Sequence, residues 1–225
     1  MATTAASSLD DITNHDLRHW VNLIKQIRAA VDAAIVKERA QGIDISQQVL
    51  NDYPFIKTPA SQESIQQQES TLQTTLPEDY KQFLHVTNGT GFSGISWIPS
   101  LRGVEQLQWT QAADEGLGLL RLDTFPPNVT SLEETTSLTS EEFDESPPLE
   151  RILMIGDEDE ETVVLLLEPE YVRKCWVWLA GKRGMEVGDA PGQWLLISFT
   201  PWMATVEVHP SFEEYMRSRI KSVEA

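Results

Sequence analysis

The sequence has little positive charge, a single cysteine and no long apolar run. Its 225 residues hold 17 lysines and arginines against 35 acids, for a net charge of -18. Binding DNA or RNA needs basic side chains that replace phosphate counterions, so this composition argues against a nucleic-acid partner. Cys175 alone forms no internal disulfide, which is usual in a reducing compartment. No apolar run reaches the roughly 18 residues of a membrane span.

The first residues lack the features of a secretory signal. Residues 1–12 contain neither a basic stretch nor an apolar one. The sequence therefore predicts a protein that is not secreted and is cytoplasmic, with the nucleus as the alternative, and that has a disordered segment over residues 1–12. The strong negative charge would also keep the chain away from anionic membranes.

Catalytic and cofactor-binding motifs are missing from the sequence. The four histidines are His15, His19, His85 and His209, and none has a serine, cysteine or aspartate at a recognisable triad spacing. There is no phosphate-binding glycine loop and no Gly-x-Ser-x-Gly element. We therefore expect a protein that is not an enzyme and has no cofactor, no catalytic residue and no metal site.

An acidic turn at residues 157–161 is the nearest approach to a calcium loop. An EF-hand needs glycine at its sixth position, where this sequence has Thr162, and a predicted strand follows at once. We interpret the turn as a solvated hairpin that contacts partners through its charge. Residues 132–170 as a whole carry fourteen acids and one base, Arg151, and so contribute -13 of the -18.

This concentration of acids predicts protein partners with basic surfaces. Two tryptophans in a predicted strand at residues 175–179 would share one face of it. They pack in the core of the protein, or they form a contact surface, since tryptophan is enriched in protein interfaces. The predicted partner-binding residues are therefore Asp157, Glu158, Asp159, Glu160, Glu161, Glu141, Glu142, Trp176 and Trp178.

A long helix is predicted within an N-terminal region that spans residues 13–61 and ends in a connector. Apolar residues recur at helical spacing from Leu17 to Ile35, and Thr13 with Asp16 resembles a capping box. The apolar stripe has two interpretations. It packs against the core of its own chain, or it docks a partner or a second copy in self-association.

Residues 62–222 read as one domain with a mobile acidic loop around residues 125–148. Helices surround a run of strands that no helix interrupts, which predicts an α+β fold with a mostly antiparallel central sheet flanked by helices. The N-terminal helix is extra to it. The predicted elements are helices at 62–72, 75–89 and from Ser211 onward, and strands at 151–156, 162–167, 175–179 and 194–199.

Several motifs in this order resemble the SUKH superfamily. They are a helix bearing Glu69, a Leu76-Pro77 step, a helix with Tyr80, Phe83 and Leu84, an Asn88-Gly89 end, Gly156 before the acidic turn, and a closing helix with Phe212 and Tyr215. The resemblance implies that these are the family's motif and core positions. We expect Leu76, Tyr80, Phe83 and Phe212 to be buried.

The resemblance also implies a function through protein binding. The superfamily includes fungal regulators of cell-wall assembly that act as scaffolds in growth and stress signalling, and bacterial immunity proteins that neutralise toxins such as nucleases. The middle hairpin here lacks the glycine often found in its turn. The long helix and the acidic loop are more similar to the fungal branch, while the acidity suits an immunity protein that binds a basic nuclease.

Neutralising residues 157–161 to the corresponding amides should slow association with a basic partner at low salt, because these acids contribute to long-range attraction. Stopped-flow association rates at several salt concentrations test this. An association rate equal to that of the unchanged protein would contradict it.

Overall fold

The computed structural model describes residues 9, 17–42, 55–91, 100–110, 145, 147–149, 152–156, 162–184, 192–200 and 205–224. The disordered segment predicted at 1–12 and the mobile loop predicted at 125–148 fall largely outside these ranges. In chain order the described elements are α1 (Arg18–Ala40), α2 (Gln62–Leu72), α3 (Glu78–Leu84), a 3₁₀ helix (Val104–Gln106), β1 (Trp109–Thr110), β2 (Ile152–Met154), β3 (Val163–Leu167), α4 (Pro169–Arg183), β4 (Leu195–Thr200), β5 (Thr205–His209) and α5 (Phe212–Glu224).

Helix α1 buries the predicted apolar stripe within its own chain. Trp20, Ile24, Ile27 and Val31 are fully buried in the core that also contains α3 and α5. The first of the two interpretations is thus confirmed, and this stripe is not available to a second copy. The helix ends before Gly42, whose φ of +88° suits glycine. The capping box predicted at Thr13 and Asp16 lies outside the described residues.

Helices α2 and α3 occupy the predicted positions. The hydroxyl of Ser61 accepts a hydrogen bond from the Ser64 N–H at 3.1 Å and caps α2. Pro77 directly precedes α3, where its missing N–H has no helical partner to lose. Helix α3 ends at Leu84, so the prediction that Asn88-Gly89 terminates it is wrong by one turn. The intervening residues form a turn held by the Val86 and Thr87 N–H groups on Phe83 O.

Within the described residues the strands form one antiparallel sheet in the order β1-β2-β3-β4-β5. The longest ladders pair Val163 with Phe199 in β3 and β4, and Leu196 with His209 in β4 and β5. The predicted α+β class, antiparallel sheet and flanking helices are confirmed. Strand β5 was not predicted from the sequence.

Residues 175–179 are not the predicted strand but part of helix α4, so Trp176 and Trp178 do not share a sheet face. Pro169 begins the helix, and Gly184 ends it with a φ of +63°. Around a helix two positions apart differ by about 200°. The apolar run at 175–179 is as dense as that of a strand, but the buried residues Val172, Cys175 and Leu179 recur at helical spacing.

Helix α4 completes a three-layer arrangement. Side chains alternate along each strand, so Leu153 and Leu166 face α1, α2, α3 and α5. Leu165 and Ile197 face α4 and Trp176 on the other side. Both faces of the sheet are therefore covered, which explains why the strand sequences are almost continuously apolar.

Replacing Phe212 with alanine should lower the free energy of unfolding by about 2–5 kcal/mol, because a fully buried ring leaves a cavity. Urea unfolding monitored by circular dichroism measures this. Val36→Ala is the control, since Val36 is 67% exposed and the expected change is within about 0.5 kcal/mol. Equal small losses in both variants would show that the ring is not part of the core.

Candidate functional site

Glu69 joins the end of α2 to the start of α3. One carboxylate oxygen accepts the Leu76 N–H at 2.9 Å and lies 3.6 Å from Lys81 Nζ. Burial alone lowers the pKa of Lys81, but the hydrogen bond and charge of Glu78, together with the charge of Glu69, raise it above its ordinary value overall. Glu69 is thus a structural brace for the Leu76-Pro77 step.

Four aromatic rings from three helices form the centre of the core. Phe212 lies 4.9 Å from both Tyr80 and Phe83 and 5.7 Å from Trp20, measured between ring centroids. Burial raises the pKa of Tyr80 well above its usual range. The predicted burial of Leu76, Tyr80, Phe83 and Phe212 is confirmed, as is that of Leu84 and Tyr215.

Asn88 and Gly89 hold a loop junction. The Asn88 side-chain oxygen accepts the Val104 N–H at 2.7 Å, and its amide donates to Glu105 at 2.8 Å. Gly89 has a φ of +78°, and a Cβ there would lie 2.3 Å from the Leu101 carbonyl oxygen. Only glycine fits this approach, so these motif residues shape the framework.

Gly156 also lies at a close approach of two backbone segments, beside the sheet. It bridges to Leu101, and a Cβ on it would lie 3.0 Å from the Val164 nitrogen. The motif positions therefore support the fold, and a binding surface has to be sought around them.

The predicted partner-binding acids cannot be placed, because Asp157, Glu158, Asp159, Glu160, Glu161, Glu141 and Glu142 lie outside the described residues. Trp176 is 5% exposed and belongs to the core under α4, against which Trp178 also packs. The exposed tryptophan face expected from a strand does not exist there. Partner binding by these residues remains a prediction.

A groove of about 420 Å³ lies where α3, β4 and α5 begin. Its walls are mainly apolar and include Pro77, Trp194, Pro210 and Phe212. Gln193 also lines the groove and is exposed. The charged residues lining it are Glu78, Asp79 and Glu213. This concave, apolar surface with an acidic rim is the candidate functional site.

Hydrogen bonds and a stacked pair hold the groove in shape. The Trp194 indole N–H donates to the Thr75 carbonyl at 3.1 Å. The ring stacks on Trp109 at a centroid distance of 6.3 Å and an angle of 9°, and the Trp109 N–H donates to Leu72 O at 2.9 Å. The groove wall is thus tied to the α2–α3 turn.

Asp79 and Ser211, which both line the groove, cap helix α5. One Asp79 oxygen accepts the Glu213 N–H at 3.0 Å, and the Ser211 hydroxyl accepts the Glu214 N–H at 3.1 Å. An acid is favourable at this positive end of a helix. Glu213 reaches across to His19 at 3.7 Å, which links α5 to α1.

A second polar cluster lies at the other end of α5. Arg219 is 8% exposed and donates to the Glu207 carboxylate, which also accepts from Ser198 at 3.1 Å. Burial alone would raise the pKa of Glu207, but the charge and hydrogen bond of Arg219 lower it overall. His209 lies 3.6 Å from Glu207. The cluster fastens α5 to β4 and β5.

Sequence reasoning missed the groove residues Gln193, Trp194 and Pro210. The available signal was Gly192-Gln193 before Trp194 at the start of a strand. This signal does not reveal a groove, because residues such as Pro77, more than a hundred positions earlier, form part of its wall. In the described part of the chain no group of three or more histidine, cysteine or acidic residues is arranged to hold a metal ion. No helix among the described residues is long and apolar enough for a membrane span.

Comparison with protein-family models finds a match over most of the described domain. The sequence model of the SMI1 / KNR4 family (SUKH-1) matches residues 59–218, which is more than half of the chain. No curated protein matches, and no solved structure does.

His209 should make the protein less stable as the pH falls below about 6.5. Burial, and then the charge of Arg219, lower the pKa of His209, although Glu207 and Glu214 oppose this. Between the unfolded and folded pKa values the unfolded chain binds more protons, so stability falls there with decreasing pH. His209→Gln should lose less unfolding free energy from pH 7.5 to 5.5.

Urea unfolding at a series of pH values above 5 measures this while avoiding most carboxylate titration. An NMR titration of the His209 ring in the folded protein provides the second measurement. Equal pH dependence in the two proteins would contradict the assignment, as would an unshifted ring titration.

Proposed function

The chain belongs to the SMI1 / KNR4 family (SUKH-1), and on that premise we propose that it is a non-catalytic domain that binds another protein through the acidic groove. The family membership supports a protein-interaction or immunity-type role. The observation that locates the binding surface is the groove at the start of α3, β4 and α5.

The division between framework and groove supports this assignment. Glu69, Asn88 and Gly89 brace turns, while Tyr80 and Phe212 fill the core. These positions give the fold its shape, and of the five only Phe212 also lines the groove. The groove wall is concave and partly accessible at Trp194, which is the kind of surface where aromatic anchors contribute to binding.

The groups with shifted pKa values support a role without catalysis. Perturbed titrating groups often mark active sites when they converge in a cleft. Here burial in the core raises the pKa of Tyr80, Lys81 is paired with Glu69 and Glu78, and Glu207 and His209 lie in the cluster with Arg219. Each shift has a structural cause, and none of these four shifted groups lines the groove.

Within this role we favour a regulator or scaffold in cell-wall assembly and stress signalling in a fungus. The support is the segment before residue 59, which lies outside the matched family region, and the acidic stretch at 132–170 within that region. A cytoplasmic place of action follows from this proposal. The alternative is an immunity protein, favoured by the net charge of -18 and the acidic groove rim, which suit a basic nuclease.

Gln193→Arg should disrupt partner binding, because it places a bulky cation on an exposed residue that lines the groove. We expect at least a tenfold loss of affinity, which is about 1.4 kcal/mol. Gln67→Arg is the matched control, since Gln67 is exposed on α2 and does not line the groove. Affinity purification from the native host identifies the partner, and calorimetry with the purified pair gives the affinities.

Equal affinities for Gln193→Arg and Gln67→Arg would contradict a groove-centred interface. The partner's identity separates the two branches. A single stoichiometric basic toxin indicates immunity, and a set of signalling and cell-wall proteins indicates the regulator.

A further inference from the structure

We propose that the groove binds an arginine side chain presented by an extended segment of the partner protein. This inference rests on the proposed protein-binding function and specifies its ligand chemistry. It follows from the size of the groove, the nature of its walls and the sign of the charges around it.

The size of the groove suits a short segment. Its volume of about 420 Å³ lies within the range of about 300–1,000 Å³ that is usual for ligand pockets. The convex surface of a folded domain would not enter such a space. A side chain with its neighbouring backbone fits it.

The walls suit a flat cation. Trp194, Pro77, Pro210 and Phe212 line the groove. A guanidinium is planar and weakly hydrated, and it stacks on aromatic faces, whereas an ammonium group holds its water strongly. Arginine therefore loses less hydration free energy than lysine on entering a groove with mainly apolar walls.

The rim supplies complementary charge. All three charged residues that line the groove in the described part of the chain are acidic. The Asp79 carboxylate accepts the backbone N–H groups of Tyr80 and Glu213, and the Glu213 carboxylate accepts from Arg217, so Glu78 is the acid that faces a ligand most directly. Glu78 is 73% exposed, so its carboxylate remains accessible beside Lys81. A carboxylate accepts two parallel hydrogen bonds from a guanidinium, which fixes orientation as well as charge.

The surrounding charges also exclude other ligands. Lys81 is shared between Glu69 and Glu78, and Arg217 donates to Glu213 from the solvent side of α5. Neither cation lines the groove. A phosphate or a nucleic-acid backbone would meet the acidic rim, which repels it.

The test uses a short acetylated peptide of alternating arginine and proline residues and the same peptide with citrulline, which is neutral and nearly isosteric. NMR titration of the full-length protein at roughly 0.15 M salt follows the indole N–H signals, with Trp194→Phe assigning that of Trp194. We expect the arginine peptide to shift the Trp194 signal saturably, and citrulline to weaken binding at least tenfold.

Glu78→Gln should lower the affinity for the arginine peptide about threefold, as expected for the loss of one exposed charge. Glu170→Gln is the matched control, because Glu170 is also exposed and pairs with a lysine in its helix, but it lies on α4 across the sheet. We expect that variant to bind normally. Thermal unfolding of both variants verifies that each is folded.

Three results would overturn the inference. They are equal binding of the arginine and citrulline peptides, equal effects of Glu78→Gln and Glu170→Gln, or shifts at the Trp176 and Trp178 signals in place of Trp194. If the peptide fails while Gln193→Arg still abolishes capture of the native partner, only the arginine specificity is wrong. If both fail, the protein-binding role of the groove is wrong as well.

Discussion

The packing of Phe212 against Tyr80, Phe83 and Trp20 is the constraint on which the rest of the structure depends. These rings come from α5, α3 and α1, so one cluster joins three helices that are far apart in the sequence. With Phe212 seated there, the first turn of α5 lies close enough for Asp79 to cap it. The same contact brings the start of α3 beside the start of α5, and the groove is the space left between them and β4.

Most of the negative charge and the concave groove belong to different parts of this protein. Most of the net negative charge belongs to residues 132–170, which suits long-range attraction of a basic partner. The groove carries only a few acids but offers apolar walls and defined geometry. On the proposed function, the first feature would increase the association rate of a basic partner, and the second would determine which partner stays bound.

Prediction from sequence succeeded where local pattern and burial agree. Trp20, Ile24 and Ile27 recur at helical spacing, and the structure buries all three. It failed at residues 175–179, because a helix covering a fully buried sheet face is as apolar locally as a strand. The two tryptophans there were expected on a contact surface, but Trp176 packs into the core.

The sequence by itself determined the α+β class, the acidic character and the buried stripe of α1, because each is encoded in composition or in the spacing of nearby residues. The family and its core positions, such as Tyr80 and Phe212, came from the resemblance of motifs in their order along the chain. Tertiary structure alone decided the candidate site. Pro77 and Asp79 meet Trp194 and Glu213 across more than a hundred residues. No local pattern records such a meeting, because it results from the antiparallel sheet order and from how α3 and α5 pack on one face of that sheet.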